Sequence, residues 1–338
     1  MLEWSGLKTR SDPSAGDDTD LSASTLPNEL LEVIIRQCPR STLWRCCFVS
    51  RMFYHITVVH LYSDPFDEGP GRYYNWVTPD VIKRYQNLCR TLSENPDLAG
   101  LVRTFRTWFW DMCSVDVEDI GEAHFSNVDT VHLTDDPDGF ILLLPSTQLR
   151  IIHTRLLQPT QAFTRWLQCQ TSLRYLELDT LDGHDNIPGL ALPELQSLTA
   201  MYGPARRILL NSPAVMELEV HLDQDVSELI ELLRPRSPGI RKLHIHFVRF
   251  ELSESDLTSI RDLPDLQDLH IAGICDPEEE PLAILHTIAE TCSELSFFKW
   301  TARYLSYDHY GINECVYCYT LVNGQWENPL RGESKELK

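Results

Sequence analysis

From residue 100 onward, one short pattern recurs along the chain: an apolar residue, two variable residues, a second apolar residue, one variable residue and a third apolar residue. Threonine takes the third position in two copies. Alternation of this kind is typical of a strand with one buried side, so each copy predicts one strand. The nine copies are spaced 20–29 residues apart and start at Val102, Val128, Leu149, Leu173, Leu195, Val215, Ile240, Leu266 and Leu295.

A chain that repeats one strand per copy has few folds open to it, because no single copy can bury its apolar side alone. The spacing is typical of leucine-rich repeats, in which each copy is a strand plus a return segment. It predicts an α/β solenoid with a curved parallel sheet over residues 99–302. Past Trp300 the pattern stops, and residues 303–338 are expected to form a C-terminal cap with a hairpin around an Asn323-Gly324 turn.

A second feature, the segment 26–62, is too apolar for its size. Hydrophobic residues make up 21 of its 37 positions, whereas the whole chain is 43% hydrophobic. Apolar residues at helical spacing, interrupted by Pro39, predict three short helices, with Ser41 capping the second and Ser50 capping the third. A segment this short cannot bury so much apolar surface on itself, so we expect a partner to cover it.

Residues 26–62 resemble the F-box in the order and spacing of Leu26-Pro27, Glu29-Leu30-Leu31, Ile34, Leu43, Val49-Ser50-Arg51, Phe53 and Leu61-Tyr62. The whole layout resembles F-box proteins with leucine-rich repeats, particularly the divergent ones abundant in fungi. The resemblance implies that the segment docks a Skp-family adaptor, which joins it to a cullin scaffold in an SCF ubiquitin ligase. The adaptor-binding residues that it implies are Leu26, Pro27, Leu30, Leu31, Ile34, Leu43, Val49, Ser50 and Phe53.

The expected fold class is therefore α+β, with a short three-helix F-box followed by the repeat solenoid and its hairpin cap. Proline after Thr78 predicts a helix that ends near Glu94 and caps the first repeats. The predicted order is a disordered acidic tail (1–25), the F-box (26–62), a linker (63–77), a capping helix (78–98), about nine repeats (99–302) and a cap with a tail (303–338).

If the repeats stack in register, the variable residues between the apolar ones line one face of the sheet, and we expect an unknown protein substrate to bind there. Histidine and carboxylate side chains are frequent among them, which favours a basic or phosphorylated segment bound in a pH-sensitive way. The candidate residues are Arg106, Trp108, His132, His153, Arg155, Tyr175, Glu177, Asp179, Glu219, His221, His244, His246 and His270.

Composition limits the remaining functions. The net charge of −21 argues against a nucleic-acid partner, which requires a basic surface. No apolar run is long enough to cross a membrane and no apolar signal core opens the chain, so we expect an intracellular protein of the cytoplasm or nucleus. The resemblance implies a non-catalytic receptor subunit, and we expect no cofactor and no metal. The alternatives are a repeat scaffold that does not assemble into a ligase, and an enzyme.

Overall fold

The structure is a computed structural model of the 338-residue chain. It divides into two compact units, Met1–Leu61 and Tyr62–Lys338. The predicted tail, Leu26, most of the predicted linker and Trp108 lie outside the described residues. The described residues are 27–65, 79–107, 125–135, 141, 144, 148–156, 160–180, 189–222, 226–236, 239–247, 260, 263–274, 285–286, 288–289, 292–306, 311–322 and 325–327.

The three predicted helices are α1 (Asn28–Arg36), α2 (Arg40–Cys46) and α3 (Arg51–Ser63), and all but the last two residues of α3 belong to the first unit. The predicted cap of α3 is present, because the Phe53 N–H donates to Ser50 Oγ at 3.3 Å. The prediction that Ser41 caps the second helix is wrong.

Helix α2 begins one residue before Ser41, and Pro39 holds the N-cap position. The Pro39 carbonyl accepts the first two helical hydrogen bonds, from Thr42 at 2.8 Å and Leu43 at 3.1 Å. The pyrrolidine ring fixes φ at −62°, which fits this start, and proline carries no side-chain acceptor, so the helix begins without a side-chain cap.

The second unit opens with α4 (Pro79–Glu94) and the single turn α5 (Pro96–Ala99). Helix α4 ends where the sequence predicts, since Pro96 has no N–H to continue its hydrogen bonding. Asn95 sits at the break, where its side-chain amide donates to the Thr91 carbonyl at 2.8 Å.

One eleven-stranded sheet dominates the second unit, with the strands in sequence order. Each of the nine copies of the repeated pattern contributes one of the first nine strands, and these nine strands are parallel to one another. The strands are β1 (Thr104–Arg106), β2 (Thr130–Asp135), β3 (Ile151–Leu156), β4 (Tyr175–Thr180), β5 (Ser197–Met201), β6 (Glu217–Leu222), β7 (Lys242–Phe247), β8 (Asp268–Ile274), β9 (Phe297–Ser306), β10 (Gly311–Val322) and β11 (Gln325–Glu327).

The copies stack in register, so the middle apolar residue of each copy pairs with the middle residue of the next. Leu176 pairs with Ile152 on one side and Leu198 on the other, and all three are fully buried. Return segments include the helices α6 (Gln161–Gln168), α7 (Tyr202–Leu209) and α8 (Val226–Leu233). Their buried residues join those of the strands in one continuous apolar core.

The two threonines at apolar positions are buried, and each finds a hydrogen-bond partner on the next strand. The Thr154 hydroxyl donates to the Glu177 carbonyl at 3.1 Å. Thr107 Oγ1 accepts the Thr134 N–H at 2.9 Å. A hydroxyl can therefore replace an apolar side chain here, because its polar atom does not remain unsatisfied.

The C-terminal strands reverse direction. β9 runs on to Ser306, past the predicted end of the repeats at 302, because β10 pairs with it antiparallel along ten residues. β11 in turn pairs antiparallel with β10, with Val322 opposite Gln325. Two residues separate these strands, as the predicted hairpin requires, although the Asn323-Gly324 turn itself lies outside the described residues.

The stacked core predicts the cost of a cavity within it. Truncating Leu176, fully buried at the centre of the sheet, should lower the free energy of unfolding by about 2–5 kcal/mol. Leu210→Ala is the control, because that leucine is 59% exposed, and it should change the same quantity by less than about 0.5 kcal/mol. Urea denaturation followed by circular dichroism measures both. Equal effects of the two substitutions would contradict the core position of Leu176.

Candidate functional site

The first unit exposes a large set of apolar side chains, here called the apolar surface. Twelve large apolar side chains are exposed in the described part of the chain, and nine of them belong to this unit. Exposed apolar side chains concentrated in one short segment, as here, are typical of an interaction site. The nine residues are Leu30, Val33, Ile34, Trp44, Phe48, Val49, Met52, Tyr54 and Val59.

Helix geometry explains which apolar residues are exposed on α1. Leu31 and Ile35, one turn apart, are buried, whereas Leu30 and Ile34, also one turn apart, are 53% and 52% exposed. The helix is thus apolar on two sides and buries only one of them. An apolar side that stays in solvent needs a partner to cover it.

An aromatic pair extends the apolar surface beyond α1. Trp44, near the end of α2, and Phe48, four residues later, pack edge to face with ring centroids 5.4 Å apart, and both remain exposed. Tryptophan is among the residues that contribute most to binding energy at protein interfaces.

The structure separates the predicted adaptor-binding residues into three groups. Leu30, Ile34 and Val49 are exposed, as are Pro27 and Ser50, and Phe53 is half-buried. Leu31 and Leu43 are only 7% exposed, so they pack inside the chain, behind the surface. Leu26 lies outside the described residues.

Sequence reasoning missed six exposed residues of this surface. Spacing of three and four residues already relates Val33 to Leu30 on α1, and Phe48 to Trp44, so a helical pattern could have found them. The six are Val33, Trp44, Phe48, Met52, Tyr54 and Val59.

Positive charge accompanies the apolar surface. Arg36 pairs with Glu32 at 3.0 Å, and Arg40 donates to the Leu61 carbonyl at 3.0 Å. Arg45 and Arg51 are exposed near the end of α2 and at the start of α3. The unit therefore presents cations beside its exposed apolar residues, which suits a partner of acidic character.

A family model for the F-box domain matches residues 24–60. The chain carries an F-box domain. This domain covers about a tenth of the sequence, and it contains all nine residues of the apolar surface. F-box domains typically bind Skp-family adaptors, and F-box proteins are generally non-catalytic substrate receptors. No curated protein matches the chain in the sequence comparison.

Beyond the F-box, the sheet presents a polar face made of the variable residues of the repeated pattern. The strand register aligns them in rows, as the sequence predicts, and Trp108 alone among the candidates lies outside the described residues. The central row runs from strand to strand through Arg106, His132, His153, Glu177, Thr199, Glu219, His244, His270 and Lys299.

One group on the polar face centres on Glu177. His153 Nδ1 donates to Glu177 Oε2 at 2.6 Å, and the Tyr175 hydroxyl donates to the same oxygen at 3.3 Å. The hydrogen bond from His153 lowers the pKa of Glu177, against the opposing effect of burial. His132 stacks on His153 with ring centroids 4.3 Å apart and planes within 2°. Burial lowers the pKa of His132 to about 3, and the nearby Arg106 charge acts in the same direction.

A second group centres on Glu219. His246 Nε2 lies 3.0 Å from Glu219 Oε1, and His244 Nδ1 lies 3.8 Å from Oε2. The proximity of His244 and His246 lowers the pKa of Glu219. His221 stacks on His246 at 4.8 Å. Burial lowers the pKa of His270 to about 3, helped by Lys299, and its Nε2 lies 3.1 Å from Thr301 Oγ1.

Three other candidates on the polar face differ in their ion pairing and exposure. Arg106 forms a bidentate pair with Asp64, at 3.2 Å and 2.7 Å, so its guanidinium is already engaged within the chain. Arg155 and Asp179 are exposed at paired positions of β3 and β4.

The described residues form neither a metal-binding cluster nor a membrane-spanning helix. No group of three or more His, Cys, Asp or Glu side chains there is arranged to hold a metal ion. No helix in the same residues combines the length and the apolar character needed to cross a membrane.

Burial of His132 and His270 predicts how stability depends on pH. Both pKa values lie near 3, below the ordinary 6.5, so the unfolded chain binds more protons than the folded chain below about pH 6.5. The free energy of unfolding should therefore decrease as the pH falls from 6.5 toward 5. It should decrease less steeply in a His132→Gln/His270→Gln variant, which urea denaturation at each pH would show.

His55→Gln is the matched control for this prediction, since His55 is exposed on α3. It should keep the slope of the parent chain. The depressed pKa values of Glu177 and Glu219 act in the same direction but below about pH 4.5, outside this window. Identical slopes for the double variant and the parent chain would contradict the prediction.

Proposed function

We propose that this protein is the substrate receptor of an SCF-type ubiquitin ligase. Its F-box docks a Skp-family adaptor through the apolar surface, and the adaptor connects it to a cullin scaffold. The observation that carries the proposal is the coincidence of two independent findings on one segment. The F-box match and the nine exposed apolar side chains both fall within residues 24–60.

The composition of the apolar surface supports docking to a protein. It combines aromatic residues with aliphatic ones, as the buried centres of protein interfaces do. Leu31 and Leu43 are buried and pack inside the unit, and this packing leaves Leu30, Ile34 and Trp44 in solvent. Arg45 and Arg51 suit the acidic character of Skp-family adaptors.

The sheet supports the second half of the proposal. Nine parallel strands in register, one per copy, are the arrangement that stacked leucine-rich repeats produce. On this proposal the repeats form the substrate-binding domain, and their polar face contacts the substrate. The ligase acts by holding a substrate lysine close to a charged ubiquitin carrier, which raises the effective concentration of the reacting groups. This chain then contributes no catalytic residue of its own.

Replacing two exposed residues of α1 tests the adaptor contact. A Leu30→Glu/Ile34→Glu variant puts two charges into the expected interface, where a desolvated carboxylate has no partner, so affinity for a Skp-family adaptor should fall by about 100-fold or more. Glutamate is a good helix former and both sites are exposed, so the unfolding midpoint should change little. Co-purification and isothermal titration calorimetry with a purified adaptor measure the effect.

Leu210→Glu is the matched control, because it places the same charge at an equally exposed leucine outside the F-box. Its adaptor affinity should stay within about twofold of the parent chain. A folded parent chain that captures no adaptor would overturn the proposal and favour a repeat scaffold that does not assemble into a ligase. Equal capture by the parent chain and the α1 variant would place the contact elsewhere.

A further inference from the structure

The polar face of the sheet carries negative charge at its centre. The polar-face positions of β4, β5 and β6 hold neither lysine nor arginine. They hold four carboxylates: Glu177, Asp179, Glu217 and Glu219. The cations of this face lie on the strands that flank this group, and Lys242 on β7 is paired with Glu217 at 2.7 Å. A phosphorylated segment requires a cluster of arginines or lysines, so the centre of this face favours a basic ligand.

Two of these carboxylates flank a short side chain. Glu177, Thr199 and Glu219 occupy the same row on three consecutive strands. Strand spacing sets Glu177 and Glu219 about 10 Å apart at the backbone, with Thr199 between them. Tyr175, on the same strand as Glu177, donates to that carboxylate at 3.3 Å. The gap suits a flat group that can donate hydrogen bonds on both sides.

Both carboxylates keep acceptor capacity for such a group. His153 and Tyr175 both donate to Oε2 of Glu177, and no described residue contacts its Oε1 within hydrogen-bond distance. Oε1 of Glu219 accepts from His246, whereas Oε2 has only the 3.8 Å contact with His244. The histidines thus hold each carboxylate in place and leave one oxygen available.

Aromatic rings extend from this gap in both directions along the sheet. On one side, His132, His153 and Tyr175 form a series with centroid distances of 4.3 Å and 4.9 Å. On the other side, His221 and His246 are stacked at 4.8 Å, and His270 lies 5.5 Å from His246. Guanidinium groups stack on aromatic faces, which ammonium groups do less readily.

The protonation of three half-buried histidine rings agrees with a cationic ligand. Burial lowers the pKa of His132, His221 and His270, so these imidazoles are neutral at physiological pH. A neutral ring can stack on a guanidinium, whereas an imidazolium would repel it.

We propose that the polar face binds an arginine-bearing segment of the substrate, with one guanidinium over Thr199 between the Glu177 and Glu219 carboxylates. This inference rests on the proposed function of the sheet as the substrate-binding domain. It names the chemical class of the segment recognised: extended, basic and dependent on arginine. The guanidinium donates to both carboxylates in a fixed planar geometry that a lysine ammonium cannot reproduce.

Fluorescence anisotropy with the full chain tests the proposal. The probe is a fluorescein-labelled peptide of twelve glycines and serines in which three alternate positions carry arginine. Matched peptides carry lysine, citrulline or phosphoserine at those positions. The arginine peptide should bind at least about tenfold more tightly than the citrulline peptide, because citrulline keeps the shape and loses the charge. It should also bind more tightly than the lysine peptide.

Substitutions test which residues of the polar face bind the arginine peptide. Glu177→Gln and Glu219→Gln should each weaken binding of the arginine peptide by about tenfold, whereas Glu194→Gln, in the exposed turn before β5, should leave it within twofold. Thr199→Arg should abolish binding even if the glutamine variants fold poorly, because the introduced guanidinium fills the gap. Thr171→Arg adds the same charge in the exposed turn before β4 and should have little effect.

Several results would overturn the inference. They are the absence of saturable binding of the arginine peptide, equal binding of the citrulline peptide, tighter binding of the phosphoserine peptide, or full binding by the Thr199→Arg variant. Adaptor capture involves the F-box and not Thr199, so it is measured on the same variants. If peptide binding is lost and adaptor capture is intact, the result tests the polar face alone. If adaptor capture is lost, the result tests the ligase proposal alone.

Discussion

Every parallel strand of the sheet depends on its neighbours in two ways. They supply partners for its backbone N–H and C=O groups, and their return segments help to cover its apolar side. Both needs are met only when the copies stack in register, since a slip by one residue would turn the apolar positions toward solvent. The observed pairing of Ile152, Leu176 and Leu198 satisfies both at once. The fold is therefore a consequence of repetition more than of any single contact.

The same constraint creates the polar face. Once the apolar residues of neighbouring strands are aligned, the residues between them are aligned as well, on the opposite side. Like side chains then meet at strand spacing, which is how His132 comes to stack on His153 and His221 on His246. A repeated core thus imposes rows of adjacent side chains whose chemistry the core does not restrict, and recognition can vary there without disturbing the stack.

How much the sequence predicts follows from the range of the interactions involved. The strands and their rows depend on a local period repeated nine times, so they could be read from the chain. The end of α4 and the cap at Ser50 are local too. The start of α2 differs because Pro39 occupies the N-cap position, which places Ser41 inside the first turn of the helix.

Other features depend on tertiary packing. The elements that pack against α1 decide which of its sides is buried. The sequence predicted Leu30 and Ile34 as interface residues, and both are exposed, but it did not predict the exposure of Val33. Arg106 looked available on the sheet, yet its partner Asp64 is 42 residues earlier in the chain. The continuation of β9 to Ser306 likewise depends on β10, which follows it.

An open sheet also has two edges, and here they differ. β1 is only three residues long, and Ser63 and Asp64 lie against it, with the Arg103 N–H donating to the Ser63 carbonyl at 2.8 Å. At the opposite end, β11 covers only three residues of β10, and within the described residues the rest of that strand keeps an unpaired side. Exposed strand edges are templates for strands of other chains. Among the described residues, strand addition is therefore hindered at the edge beside β1 and has unpaired backbone groups to use along β10.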